Sequence, residues 1–266
     1  MGAAPEPMFD LTGQVAIVTG GGTGIGRATA LVFAEHGAEV VIASRKRENL
    51  ERVAGEVAER GGRALVVPTD VRDPDACARL VDGTLDEHGR IDILVNNAGG
   101  SYSKPLEDWD LDGWAHSIDL NLRSVFVLSQ AAARPMREQR SGVIVNISSG
   151  AAEHGLPFVA PYGAAKAGVE NLTASFAAGL APWGIRVNCV GVGAIKSEGF
   201  VRAMAKIGQD PDVVGGRSNG FKRAGLPEEI AWPILFLASR AASFMSGQTI
   251  WVGGPPAVPG YAAPGS

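Results

Sequence analysis

Residues 15–19 read Val-Ala-Ile-Val-Thr, a β-branched apolar run that leads without a polar linker into Gly20-Gly21-Gly22-Thr23-Gly24-Ile25-Gly26, where helical spacing begins. A strand that passes through glycines straight into a helix constrains the fold more than any other stretch of this chain. The first turn of a helix leaves backbone N–H groups without intrahelical partners, and its dipole is positive at that end. Glycines let an anionic group approach this backbone, where side chains would block it. The spacing is GxxxGxG, through Gly20, Gly24 and Gly26, and no three glycines here fall at i, i+2 and i+5. A glycine turn between strand and helix also serves as mere punctuation, so the loop alone implies only a seat for a phosphate.

The alternation continues along the chain. Short apolar runs at 15–19, 39–44, 64–69, 91–97, 142–148, 185–190 and 248–252 are separated by helical spacing at 26–36, 49–60, 73–88, 111–138, 161–183 and 227–239. Gly37, Gly61 and Gly89 stand where helix stops belong. Strands apolar on both faces, with helices between them, imply a parallel sheet covered on both sides. The expected fold class is α/β: a single Rossmann-fold domain over 11–254, with a seven-stranded, mostly parallel, doubly wound sheet and right-handed crossovers. Residues 196–223 break the alternation and read as a substrate lid, loosened by Gly208, Gly215, Gly216 and Gly220. Residues 1–10 read as a flexible leader and 255–266, rich in Pro and Gly, as a tail that is partly ordered at most.

The 266 residues are 45% hydrophobic with a net charge of -4, enough for a large core and without the basic excess that a nucleic acid requires. No apolar run approaches the ~18 residues of a membrane span, and the first residues lack a charged-then-apolar signal pattern. Cys77 and Cys189 show no metal-ligand spacing, and His36, His88, His116 and His154 share no HxxxH pattern. The expectation is a cytoplasmic protein with no metal, no nucleic acid and no membrane partner.

At the end of the second strand the chain reads Ser44-Arg45-Lys46, with no acid until Glu48. A carboxylate there would hydrogen-bond an unmodified adenosine ribose, whereas a basic residue would pair with a 2′-phosphate, so NADP(H) is favoured over NAD(H). The alternative is that Arg45 and Lys46 only begin a solvated helix. Tyr162 and Lys166 lie one turn apart on one helix face. A neighbouring ammonium favours the phenolate and would lower the phenol pKa, although many i,i+4 Tyr–Lys pairs are surface pairs. Ser149 stands 13 residues before Tyr162 at the mouth of the fifth strand, where open α/β sheets bind ligands. The residues alone do not decide between Ser148 and Ser149.

On these motifs the chain resembles the short-chain dehydrogenase/reductase family from about residue 11 to 254: TGxxxGxG at 19–26, Asp70-Val71, Asn96-Asn97-Ala98-Gly99, and Ser149 with Tyr162-x-x-x-Lys166. The resemblance implies that Gly20, Gly22, Thr23, Gly24, Ile25 and Gly26 hold the cofactor diphosphate. It places Ser44, Arg45 and Lys46 at the adenosine ribose, Asp70 and Val71 at the adenine, and Asn97, Ala98 and Gly99 along the cofactor. It selects Ser149 to hold the substrate oxygen, Tyr162 as general acid and Lys166 for the nicotinamide ribose and the tyrosinate. Asn121 would anchor a water-linked proton relay to Lys166.

Where family members carry a proline-glycine pair followed by IxT, this chain has Val192-Gly193-Ala194-Ile195-Lys196-Ser197. Ile195 and Ser197 should keep their cofactor contacts, on a loop that is more mobile without proline. Gly253 stands where an aspartate is common, which puts in doubt a contact that supports tetramer packing. Leu156, Phe158, Val159, Phe200 and Met204 would offer apolar substrate walls, and Lys196, Arg202, Lys206 and Lys222 would meet an anionic tail; both sets read equally well as lid core and solvated faces. Two segments, VVIASRK and the stretch ending at QTI, resemble the enoyl-CoA and dienoyl-CoA reductase branch. The expected function is an NADP(H)-dependent interconversion of a small-molecule carbonyl and a secondary alcohol, with 3-oxoacyl thioesters as a candidate substrate. The alternatives are an enoyl-thioester C=C reductase and a cofactor-binding regulatory protein without turnover. The resemblance also implies a homotetramer built through helices 111–138 and 161–183.

Overall fold

Val and Ile, stiff at χ1 and apolar, pack on both faces of an extended chain, and each predicted run forms a strand. The strands of this computed structural model, which describes residues 8–217 and 219–256, are β1 (Val15–Thr19), β2 (Glu39–Ser44), β3 (Ala64–Pro68), β4 (Ile93–Asn96), β5 (Gly142–Ser149), β6 (Ile185–Val192) and β7 (Thr249–Val252). They form one seven-stranded sheet in the order β3-β2-β1-β4-β5-β6-β7. All neighbouring pairs are parallel, so the sheet is wholly rather than mostly parallel. The order reverses between β1 and β4, and a crevice opens there outside the strands' carboxyl ends.

The helices are α1 (Gly24–Glu35), α2 (Arg47–Glu59), α3 (Pro74–His88), α4 (Leu111–Ile118), α5 (Ser124–Gln139), α6 (Ala160–Leu180), α7 (Glu198–Lys206), α8 (Pro211–Gly216) and α9 (Pro227–Ala238). Alternate residues of β1 feed opposite layers of core. Ala16 and Val18 pack with Phe33, Val53 and Ile234 of α1, α2 and α9. Val15 and Ile17 pack with Leu80, Leu128 and Ala177 of α3, α5 and α6.

Three local features depart from the sequence reading. The continuous helix expected over 111–138 is divided by a π-helical turn, Asp119–Arg123, that widens the backbone around the buried Asn121. β5 and β6 run on to Ser149 and Val192, which pair with each other. Val192 has the backbone N–H that a proline lacks, and the ladder continues through Gly193 N to Val252 O at 3.1 Å. The excursion at 196–223 folds into α7 and α8, and Lys196, two residues before α7, donates through Nζ to Asp212 Oδ2 of α8 at 2.5 Å.

The expected leader falls largely outside the described residues, although Asp10 Oδ1 accepts Thr12 N at 2.9 Å. Of the expected tail only Pro255 and Pro256 are described. Among the described residues no helix is long and apolar enough to cross a membrane.

Candidate active site

The glycine spacing has a steric cause. Gly20 and Gly24 adopt φ of 67° and 54°, in the left-handed region that favours glycine. A Cβ on Gly26 would lie 2.3 Å from Gly20 O and 2.5 Å from Asn97 Nδ2, and one on Gly20 would lie 2.7 Å from Asn97 Nδ2. The start of α1 thus packs against the backbone of its own approach loop. Asn97 fixes that loop to the sheet, its Nδ2 donating to Thr19 O at 2.8 Å. The backbone N–H groups of Asn97 and Ala98 both reach Thr19 Oγ1 at 3.0 Å. Thr23 is the extended residue before α1, and Ile25 packs its side chain against the core.

Beside this loop lies a cleft of about 280 Å³. Gly20, Gly22 and Thr23 form its floor, Ser44, Arg45 and Lys46 one side, and Asp70, Val71, Ala98 and Gly99 another. The sequence reading missed Asn49, Thr69 and Leu120 in these walls, each of them beside a motif it did single out. Arg202, expected either at an anionic substrate tail or on a solvated face, lines this same cleft, where α7 lies over the glycine loop. Arg72 holds Asp70 through Nε at 3.0 Å, and its guanidinium brings the carboxyl down to about 2. A glycine-rich floor beside the N-terminus of α1 and two cations at one end fit a phosphorylated dinucleotide.

Ser149 ends β5, where its side chain accepts Ala151 N at 3.2 Å and lies beside the Tyr162 phenol. Ser148 points to the other face of the strand, where its hydroxyl donates to Glu170 Oε1 at 2.6 Å. Lys166 is 3% exposed, and its Nζ lies 5.7 Å from the Tyr162 ring centroid. Burial pushes the Tyr162 phenol up from its ordinary value, with Ser149 opposing it. The lowering expected from Lys166 is not what this arrangement produces. The lysine is itself desolvated, its pKa brought down to about 8 by burial, and its proton is aimed at Ile147 O at 2.8 Å.

Asn121 accepts Gly100 N at 3.0 Å through Oδ1 and donates through Nδ2 to Gly100 O at 2.9 Å and Ser117 O at 3.0 Å. Both of its amide protons are engaged, so its side chain clamps the backbone of Gly100. A Cβ on Gly99 would lie 2.8 Å from Asn121 Oδ1 and 3.4 Å from Lys166 Nζ, which places all three at one spot.

Ile195 forms an isolated bridge with Gly225, and its carbonyl accepts Ser197 N at 2.7 Å. Ser197 Oγ accepts Phe200 N at 3.2 Å and so caps α7. The pair sits over the glycine loop, where a Cβ on Gly24 would lie 2.9 Å from Ser197 Cβ. Gly253 approaches Gly193 backbone to backbone, and a Cβ on it would lie 3.3 Å from Gly193 Cα, leaving an aspartate little room. On the substrate side Leu156 and Phe158 are 48% and 58% exposed, while Val159, Phe200 and Met204 are half-buried. Lys196, expected to meet an anionic tail, is held instead by Asp212.

Known proteins resemble this chain over most of its length. The short chain dehydrogenase family model matches residues 14–207. A 3-oxoacyl-[acyl-carrier-protein] reductase of Synechocystis sp. is 40% identical over 93% of this chain and 98% of its own length. A cis-4-hydroxycyclohexanecarboxylate dehydrogenase of Sinomonas cyclohexanicum is 41% identical over 91% of this chain and 95% of its own. A solved 7α-hydroxysteroid dehydrogenase, complexed with NADH and 7-oxo glycochenodeoxycholic acid, superposes with a TM-score of 0.87 at 35% identity, covering 94% of this chain and 96% of that one. The chain belongs to the short-chain dehydrogenase/reductase family, enzymes that interconvert CH–OH and C=O groups with a nicotinamide dinucleotide.

Proposed function

We propose that this enzyme uses NADP(H) to interconvert a carbonyl and a secondary alcohol, with 3-oxoacyl thioesters as its substrate class. The observation that carries the reading is the convergence of the Ser149 hydroxyl, the Tyr162 phenol and the buried Lys166 ammonium at the carboxyl end of β5. Two hydroxyls beside one another can hold and protonate a single oxygen. Arg45 and Lys46 at the end of β2, with no carboxylate between them and the strand, support the choice of NADP(H). The name of the Synechocystis relative supports the thioester class.

The glycine loop from Gly20 to Gly26 would hold the diphosphate, Ser44, Arg45 and Lys46 the phosphorylated ribose, and Asp70 and Val71 the adenine. Asn97, Ala98, Gly99, Ile195 and Ser197 would line the rest, with Lys166 at the nicotinamide ribose. The bound dinucleotide supplies or accepts the hydride. Ser149 orients the substrate oxygen, and Tyr162, kept protonated by burial, donates to it in the reductive direction. Lys166 would face the tyrosinate that results, and Asn121 keeps the Gly99–Gly100 peptide beside the lysine. Residues 196–223 act as the lid. We also propose a homotetramer through α4–α5 and α6, supported by Phe126, which is 42% exposed and packs at a tilt against Phe176 across two of these helices.

The test is NADPH and NADH consumption with ketones, 3-oxoacyl thioesters and enoyl thioesters. Turnover of the 3-oxoacyl compounds with NADPH is expected. Reduction of enoyl thioesters alone would replace carbonyl chemistry by C=C reduction, and tight NADPH binding without turnover would indicate a regulatory role.

A further inference from the structure

Glu198, the first residue of α7, reaches across to the glycine loop, where its Oε2 accepts the backbone N–H of Gly24 at 2.6 Å. Gly24 opens α1, so this N–H is one that the helix does not satisfy internally, at the positive end of its dipole. The approach at this point is close, with Ser197 Cβ 2.9 Å from where a Cβ on Gly24 would stand. One turn further along α7, on the face that carries Glu198, Arg202 lines the same cleft as Gly20, Gly22 and Thr23. Helix α7 therefore presents an anion and a cation, four residues apart, to the diphosphate seat.

We propose that Glu198 is an internal anion that competes with the cofactor diphosphate for the Gly24 N–H, and that Arg202 binds the diphosphate once Glu198 has been displaced. The proposal rests on the reading of this cleft as a dinucleotide site. The physical reason is exclusion: one N–H serves one anion at a time, and a carboxylate held beside a diphosphate repels it. Glu198 is exposed on its solvent side, so it turns outward when displaced, and α7 carries Arg202 on the same backbone. Binding of the cofactor at the glycine loop is thereby linked to the position of α7, the first helix of the excursion that faces the substrate.

The test titrates the protein with NADPH, with NADH and with adenosine 2′-monophosphate, which shares the adenosine end but has no diphosphate. Glu198→Gln keeps the side-chain length and an amide acceptor while removing the charge. It is expected to tighten NADPH and NADH about fivefold, the difference between a charge-assisted and a neutral hydrogen bond, and to leave adenosine 2′-monophosphate unchanged. Arg202→Met is expected to weaken NADPH and NADH by the same factor, about tenfold, again without effect on adenosine 2′-monophosphate. Unchanged or weaker dinucleotide binding by Glu198→Gln overturns the competition. Equal tightening of all three ligands overturns it as well, since that is the action of a general field. An Arg202→Met effect on NADPH alone would move that residue to the 2′-phosphate and overturn its diphosphate role. A wild-type protein that binds neither dinucleotide overturns the cofactor reading itself.

Discussion

Lys166 Nζ donates to the carbonyl oxygen of Ile147 at 2.8 Å, and among the described residues this neutral acceptor is its only hydrogen-bond partner on the protein. A buried ammonium so held favours its neutral form, and its pKa falls from 10.5 to about 8. Between those values the unfolded chain binds the proton and the folded chain does not, so stability rises with pH through this window. The rise is separable only up to about pH 9, where Cys77 and Cys189, pushed by burial from 9.0 to about 11 and about 12, begin to act in the opposite sense. From pH 8 to pH 9 the wild type should gain about 1 kcal/mol over Lys166→Met in urea unfolding. An equal difference at both pH values would mean that Lys166 does not titrate there.

Tyr162 tests the proton donor directly. Tyr162→Phe keeps the ring and removes the hydroxyl, so carbonyl reduction should fall about a thousandfold while the NADPH dissociation constant stays within about twofold. Unchanged turnover would remove the phenol from the mechanism.

The pH profile tests Ser149. This side chain opposes the rise of the Tyr162 pKa, so Ser149→Ala raises that pKa further. Reduction needs the protonated phenol, and rate falls as pH passes its pKa. The alkaline limb of residual activity should therefore move to higher pH in Ser149→Ala, and a limb that moves downward contradicts the assignment.

The strands were legible because Val and Ile on both faces of a short segment leave few other places to bury them. The glycine positions were legible for a related reason, since the steric demand at Gly20 and Gly26 comes from a neighbouring turn and from Asn97, a motif residue. The π turn at Asp119–Arg123 was not, because helical apolar spacing runs through it unchanged and only the bonds of Asn121 to Gly100 mark it. The direction of the Tyr162 shift was misread because a Tyr–Lys spacing displays the charge and conceals the burial. Glu198 had no local signal at all, for its partner Gly24 lies 174 residues away.

Arg45 tests the cofactor choice. It lies at the mouth of the cleft and acts on Asp70 from there. Arg45→Asp removes a cation suited to a 2′-phosphate and supplies an acceptor for a free 2′-hydroxyl. The ratio of kcat/KM for NADPH over NADH should fall about tenfold to a hundredfold, the loss of one charge-assisted contact. An unshifted ratio removes the basis for NADP(H).

Asn121 makes a prediction that separates scaffold from chemistry. Its three hydrogen bonds join the π turn to both polar groups of Gly100 and to Ser117 O, with the residue fully buried. Asn121→Ala leaves Gly100 N–H and two carbonyl oxygens without these partners, at a cost of about 2–4 kcal/mol if water does not replace them. Asn121→Asp keeps the acceptor for Gly100 N–H but turns two donor contacts into repulsions between oxygens. It should therefore be no more stable than the alanine variant, despite its nearer shape. If the side chain served only as a relay acceptor, Asn121→Asp would retain both stability and turnover; loss of both, with Asn121→Ala at least as stable in urea unfolding, identifies the clamp on Gly100 as its role.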